Sequence, residues 1–400
     1  MSLKNNNTFL TYSKNKNINI FFKKALSILK SLQIIALILL IIFISTIILV
    51  FPEYSSNGVK TGLTFCSNIL IPSLFPFMVI SGFIVKSNLA LKLGKIMNPV
   101  TKFLFHLPGC TGPTILLGLI GGYPTSARGI KSLFEQKLID NSQAERMLYF
   151  SVCAGPAFVI SVVGTNFLKS SKAGIIILTS QIISSITLGI ITGFLGTNSQ
   201  THKNNTHTTK VKSTKLSSAF INSCTDACYG LINLCSLVVI FSVAILILDS
   251  VGFSKEISNI FINIGLPYNT SNSLLPIFLE VTSGCMTATN LNTPLELIAF
   301  ALGWAGICVQ FQILSTVQDI NISVLKFMSF RFLHGLLASF FTNIILHIVP
   351  IEVEAISNTT KQLNLSTYSD YSSCVALILL SIFFIISIGP KTIDLKSKKC

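Results

Sequence analysis

Charged side chains are scarce in this sequence. Asp, Glu, Lys and Arg make up 11% of its 400 residues, where a soluble domain carries about 25%. The shortfall excludes an ordinary water-facing surface and puts the chain in the membrane class. Strand-like alternation is missing too. The apolar runs are continuous, whereas a membrane β-barrel alternates over segments of about ten residues. There is one Trp and there are five His, and no H-E-x-x-H, G-x-S-x-G or P-loop occurs. The chain is therefore not expected to be an enzyme, and no metal or organic cofactor is expected. The ten cysteines lie mostly within or beside apolar runs. Cys224 and Cys228 share a helix face, but no His or Cys follows at zinc-site spacing. The cysteines read as small apolar packing residues.

What the chain has in quantity is uncharged length. The runs 32–51, 61–85, 147–168, 174–195, 227–248, 297–318, 332–351 and 371–390 contain no Asp, Glu, Lys or Arg. About 20 apolar residues cross a bilayer as a helix. The expected fold is an all-α polytopic membrane protein with about eight transmembrane helices. The basic stretch 1–30 before the first run suggests a signal peptide, but no small-residue cleavage site precedes Phe51-Pro52-Glu53. The first run reads instead as an uncleaved anchor.

Two stretches break this pattern. Residues 103–127 are uncharged but hold five glycines and three prolines, and 273–290 start apolar and turn small and polar around Gly284. Each suits a re-entrant hairpin, because irregular backbone at membrane depth needs protein or a wet cavity around it. With a cytoplasmic N-terminus and both hairpins returning to their own side, 24 of the 29 Lys and Arg face the cytoplasm. Those 24 lie in 1–31, 86–102, 128–146, 203–216, 319–331 and 391–400, and only Lys60, Lys169, Lys172, Lys255 and Lys361 are external. Both termini and the linker are then cytoplasmic. The net charge of +15 reads as this topology rather than as nucleic-acid binding, since the basic residues are scattered over short loops.

The same arrangement implies an inverted-topology repeat, as in many secondary transporters. Residues 1–60 form a basic N-terminus and first anchor. Residues 61–196 form the first repeat, with hairpin 103–127 and broken helix 147–168. Residues 197–216 are a polar, basic linker. Residues 217–351 form the second repeat, with hairpin 273–290 and broken helix 297–318, and 352–400 add the last helix and a basic tail. The pattern Gly122–Ala127 matches Gly284–Thr289, and Ala154-Gly155-Pro156 matches Ala305-Gly306-Ile307. Residues 128–146 place Ile130, Leu133, Phe134 and Leu138 on one face, which suits a short amphipathic helix at the interface.

Hairpin tips and helix breaks leave backbone groups free for a solute or a coupling ion. The first tip candidate is Gly121, Gly122, Tyr123, Pro124, Thr125 and Ser126: glycines permit close approach, Pro124 stops a helix, and the hydroxyls offer ligands. A plain tight turn is the alternative. Gly155 and Pro156 interrupt one apolar span and Gly306 the matching one, followed by Gln310 and Gln312, whose amides need partners. Glu280, followed by Thr282, Ser283 and Gly284, is an ionisable group in an apolar run and thus a candidate for protonation or cation binding. A carboxylate held near the interface is the other reading. Arg128, just past the first tip, could attract an anion or serve only as a positive-inside residue.

These stretches resemble a known family. GLIGGYPTSARGIKSLFEQKLIDNSQAERMLYFSVCAGPAFVISVVG (118–164), LEVTSGCMTATN (279–290) and ALGWAGICVQFQILS (301–315) are similar to the YlbJ (SpoVV) family of sporulation integral membrane proteins. The resemblance runs from the second span to the seventh. It implies a gate, or nucleoside-recognition, domain distantly similar to concentrative nucleoside transporters, which have two re-entrant hairpins and two broken helices. It departs at Ser151-Val152-Cys153, where the family is associated with asparagines. It further implies export of dipicolinic acid from the mother cell across the outer forespore membrane. The partners implied are a small anionic solute and the lipid bilayer, with no nucleic acid. An oligomer is compatible with this, and the coupling ion, proton or sodium, is left open. A nucleoside-type carrier and a non-transporting scaffold or receptor needed for sporulation are the rival readings.

Overall fold

Long uncharged runs wind into helices here because a helix pairs its own backbone N–H and C=O groups, which a bilayer cannot do. The computed structural model describes residues 38–39, 41–42, 45–87, 89–195 and 216–350. The expected first span (32–51) falls partly outside them. The linker 197–216, apart from Leu216, the last span 371–390 and both termini lie outside the described residues. Among those described there is no strand.

After helical residues 45–50, α1 (Pro52–Phe65) is followed by a π-helical stretch Cys66–Leu70 and by α2 (Ile71–Lys86). Next come α3 (Leu89–Phe105), α4 (Gly112–Gly121), α5 (Tyr123–Glu135), α6 (Asn141–Phe150), the π-helical α7 (Ala157–Phe167) and α8 (Ser171–Leu195). After the linker follow α9 (Leu216–Ser250), α10 (Phe253–Asn263), α11 (Tyr268–Leu279), α12 (Val281–Asn290), α13 (Leu295–Trp304), α14 (Gly306–Thr316) and α15 (Val324–Ile348). Among the described residues, five stretches are long and apolar enough to cross a membrane: Pro52–Ile80, Ser171–Phe194, Leu216–Ser250, Leu295–Thr316 and Val324–Ile348. A sixth would be the bent pair Ile96–Phe105 and Gly109–Gly121, whose halves meet at 104°.

Several helices are too short to cross. At 1.5 Å per residue, the 10 residues of α4 rise only about 15 Å, half a hydrocarbon core. The same holds for α6, α12 and α13, with 10 residues each. They work in pairs. α4 and α5 lie side by side, with Gly129 so close to Thr114 that a Cβ would meet its methyl at 2.7 Å. α11 and α12 do likewise: a Cβ on Gly284 would meet the Ile277 Cα at 2.5 Å. Long helices close up by the same means, since α9 presses its Val243 and Val239 backbone onto Gly58 and Gly62 of α1. The core runs continuously through α6, α7, α8, α13 and α14, from Phe150 and Val159 to Ile298 and Ile313, all buried.

The structure shifts several expected boundaries. The first hairpin spans α4 and α5 rather than 103–127, because residues 106–111 form a separate connector and α5 continues through the charged residues to Glu135. Hence 128–146 is not one interfacial helix. It is the end of α5, a turn with Lys137 at φ 56°, and the start of α6, and Ile130 is fully buried. The second hairpin turns at Glu280, so the two tips align Gly122 with Glu280, four residues before Gly284, its partner in the sequence match. The run 147–168 is divided by residues 152–155, which carry no regular secondary structure, and Ala305 and Gly306, both with positive φ, divide 297–318.

The start of α6 is fixed by a capping box. Asp140 accepts from the Gln143 N–H at 2.8 Å, and the Gln143 side chain accepts from the Asp140 N–H at 3.0 Å. Asp140→Ala should cost about 1 kcal/mol of stability. A melting temperature equal to that of the parent in detergent would show that the cap contributes nothing.

Candidate functional site

A helix ends where a residue leaves the helical backbone shape, and here four such ends meet. At the first tip, Gly122 holds φ 82° and ψ −176°, a backbone shape that favours glycine. Pro124 stands in the first turn of α5, where its missing N–H costs nothing. At the second tip Glu280 is extended, and its carboxylate caps α12 by accepting from the Thr282 N–H at 2.9 Å and the Ser283 N–H at 2.6 Å. Its side chain is 1% exposed.

Each break packs on a tip. A Cβ on Gly155 would stand 3.0 Å from both the Gly122 nitrogen and the Ile120 oxygen. A Cβ on Gly306 would stand 2.9 Å from the Val281 nitrogen and 3.1 Å from the Glu280 Cα. The first break meets the first tip, and the second break meets the second tip. Between them lies a cavity of about 660 Å³, counting its open mouth. Its walls are Ile120 to Pro124 of the first tip, Gly155, Ala157 and Phe158 of the first break, Glu280 to Thr282 of the second tip, and Cys308 and Val309 of α14. Leu70, Leu74, Phe77 and Met78 of the span Pro52–Ile80 and Leu234 and Val238 of α9 close the apolar side. Among the described residues, Glu280 is the only acid on the wall, and no Lys, Arg or His lines it. Ligand pockets share this mostly apolar lining.

The sequence candidates therefore divide. Gly121, Gly122, Tyr123, Pro124, Gly155, Glu280 and Thr282 line the cavity, and Gly306 braces it. Thr125 and Ser126 turn inward to the protein: the Thr125 hydroxyl donates to the Gly121 carbonyl at 3.0 Å, and the Ser126 and Ser151 hydroxyls are bonded at 3.0 Å. Pro156 begins the helical turn after the first break. Ser283 contributes its N–H to the cap, and Gly284 serves the contact between α11 and α12. Gln310 spans the second break, its amide donating to the Trp304 carbonyl at 3.0 Å, while its own oxygen is buried without a partner. Arg128 stands apart from the walls. Its guanidinium donates to the Asp226 carbonyl on α9 at 2.9 Å, and Lys86 pairs with the same residue's carboxylate at 2.6 Å.

One tie joins the two halves at the cavity, and a second braces the second half. The Tyr123 hydroxyl donates to the Leu302 carbonyl at 2.5 Å, joining the first tip to the second broken helix. The Trp304 indole N–H donates to the Phe278 carbonyl at 3.2 Å, joining that helix to α11. Sequence reasoning missed Arg331, His334 and Gln181. It counted Arg331 as a cytoplasmic loop cation, yet the residue lies within α15 and is 0% exposed. The available signal was its spacing of three from His334 in a run otherwise apolar from residue 327 to 341 apart from Ser329 and Ser339.

Several apolar helices make this a multi-pass membrane protein. The chain is similar to the sporulation integral membrane protein YlbJ of Bacillus subtilis (strain 168). The two are 23% identical over 327 residues, which cover 75% of this chain and 79% of the relative. That length takes in far more than the tips and breaks alone. No protein-family model matches the chain, and no solved structure matches it.

Proposed function

We propose that this protein is a carrier for a small anionic solute in sporulating cells, with dipicolinate as the substrate and the outer forespore membrane as its site. The observation that supports it is the convergence of two hairpin tips and two helix breaks on one cavity. Half-length helices meeting at mid-membrane are how secondary carriers present backbone groups to a solute. The order of elements supports an inverted repeat. In each half a span (α1–α2, α9) is followed by a short helix (α3, α10), a re-entrant hairpin (α4–α5, α11–α12), a broken helix (α6–α7, α13–α14) and a closing span (α8, α15). The similarity to a sporulation membrane protein supports the cellular role.

Helix ends favour an anion. α5, α7 and α14 begin at the cavity without a side-chain cap, so the positive ends of their dipoles are open. The carbonyl ends are taken: Arg331 holds Tyr149 and Val152, and Gln310 holds Trp304. Glu280 already fills the start of α12. A flat dianion would find N–H donors at the first tip and apolar contact with Phe158.

Protein purified into liposomes should take up labelled dipicolinate and prefer it to uridine. Sporulating cells lacking the protein should make dipicolinate in the mother cell and fail to load their spores. Uridine uptake without dipicolinate uptake would favour a nucleoside-type carrier. Uptake of neither, with normal spore dipicolinate in the deletion strain, would leave a scaffold or receptor.

A further inference from the structure

Breaking a helix inside a protein strands its last carbonyls, and something must donate to them. α6 ends at Phe150, and residues 152–155 carry no regular secondary structure. Across from them, Arg331 of α15 donates through Nη1 to the Val152 carbonyl and through Nη2 to the Tyr149 carbonyl at 3.2 Å. Nη2 also meets Nδ1 of His334, one turn along α15. Arg331 is among the largest fully buried side chains, and no acidic residue pairs with it among the described residues. Its charge is therefore balanced by carbonyl oxygens at the negative end of α6.

His334 is held in one form by its two contacts. A guanidinium only donates, so Nδ1 must accept, and the ring proton sits on Nε2, which faces the Gln181 carbonyl of α8 at 3.3 Å. The Gln181 side chain in turn donates to the Ala299 carbonyl of α13 at 2.7 Å. A chain of contacts thus runs from the first break, through α15 and α8, to the second broken helix. A buried cation is a costly way merely to fill space, since apolar side chains of equal volume pack as well or better.

We propose that Arg331 is a positioning residue. It sets the backbone path of residues 151–155, and so the seat of Gly155 against the Gly122 tip, while His334 orients its guanidinium. The link from this seat to transport rests on the carrier reading, but the geometry of the break can be tested without any substrate.

Cys153 reports on the break from within, being 2% exposed. The full-length protein in detergent would be treated with iodoacetamide and each cysteine followed by peptide mass spectrometry. In Arg331→Met, Cys153 should label about tenfold faster through local opening, while buried Cys66 and Cys285 keep the parent rate. Arg331→Lys, which keeps the charge but cannot fork between two carbonyls, should give an intermediate rate, as should His334→Leu. An unchanged Cys153 rate, or an equal rise at all three cysteines, would overturn the proposal. If the Met variant does not accumulate, the Lys variant carries the same test. In liposomes supplied with dipicolinate, Arg331→Lys should raise the apparent KM about threefold with the maximal rate nearly unchanged. A fall in maximal rate alone, in step with protein content, would reduce Arg331 to structural support. Failure of the parent protein to take up dipicolinate would count against the substrate proposed above and leave the labelling result in force.

Discussion

Glu280→Gln should lower dipicolinate uptake about tenfold or more, with a smaller loss of folded protein. Both carboxylate oxygens are engaged, one on each of two N–H groups, at a tip that lines the cavity. Gln offers one acceptor oxygen and turns an NH2 toward the second donor, which leaves a buried N–H unpaired. That loss costs about 1–3 kcal/mol. It also removes the only acid that the described residues place on the cavity wall. The two effects separate when membrane content and melting temperature are measured alongside uptake. Uptake equal to the parent, normalised to folded protein, would remove Glu280 from the mechanism and leave it a helix cap.

The second large effect is expected at the contacts between break and tip. Gly306 has φ 69°, where an L side chain costs about 1–2 kcal/mol. Its Cβ would also lie 2.9 Å from the Val281 nitrogen, and backbone cannot swing aside as a side chain does. Gly306→Val should therefore push the Glu280 tip off the break and abolish uptake. Gly155→Val should do the same at the first tip, more mildly, because its contacts begin at 3.0 Å and no positive φ is involved. Variants that fold and transport normally would show that neither seat matters. A milder outcome at Gly306 than at Gly155 would show that this ranking of strain is mistaken.

The sequence made the helical class legible because uncharged length is a one-dimensional signal. It also made both breaks legible, since Gly155-Pro156 and Ala305-Gly306 interrupt otherwise uniform apolar runs. Register was harder to read. The sequence pattern pairs Gly284 with Gly122, but Gly284 is small to admit Ile277 of the paired arm. Glu280 turned the chain instead, by giving α12 an acceptor, and capping of that kind depends on which N–H groups its carboxylate can reach. Charge misled twice. Residues 128–146 read as one amphipathic helix at the interface, although they are split between α5 and α6, and α5 sends Arg128 to α9. Arg331 read as a loop cation, although its partners Tyr149 and Val152 lie 182 and 179 residues away in sequence. No local pattern reveals a partner at that distance.

Those separations bear on how the chain is made. The Tyr123 hydroxyl waits for Leu302, 179 residues later, and the stranded carbonyls beside the first break wait for Arg331. Translation at about 5–20 residues per second puts roughly ten to forty seconds between the emergence of a half-helix and the emergence of what stabilises it. Segments of 10 residues such as α4 and α6 are too short to be held by lipid as independent spans. During that interval they depend on neighbours in the first half, on the insertion machinery or on a chaperone. A nascent chain stalled before residue 302 should thus be a ready target for membrane proteases, and one released after residue 334 should not.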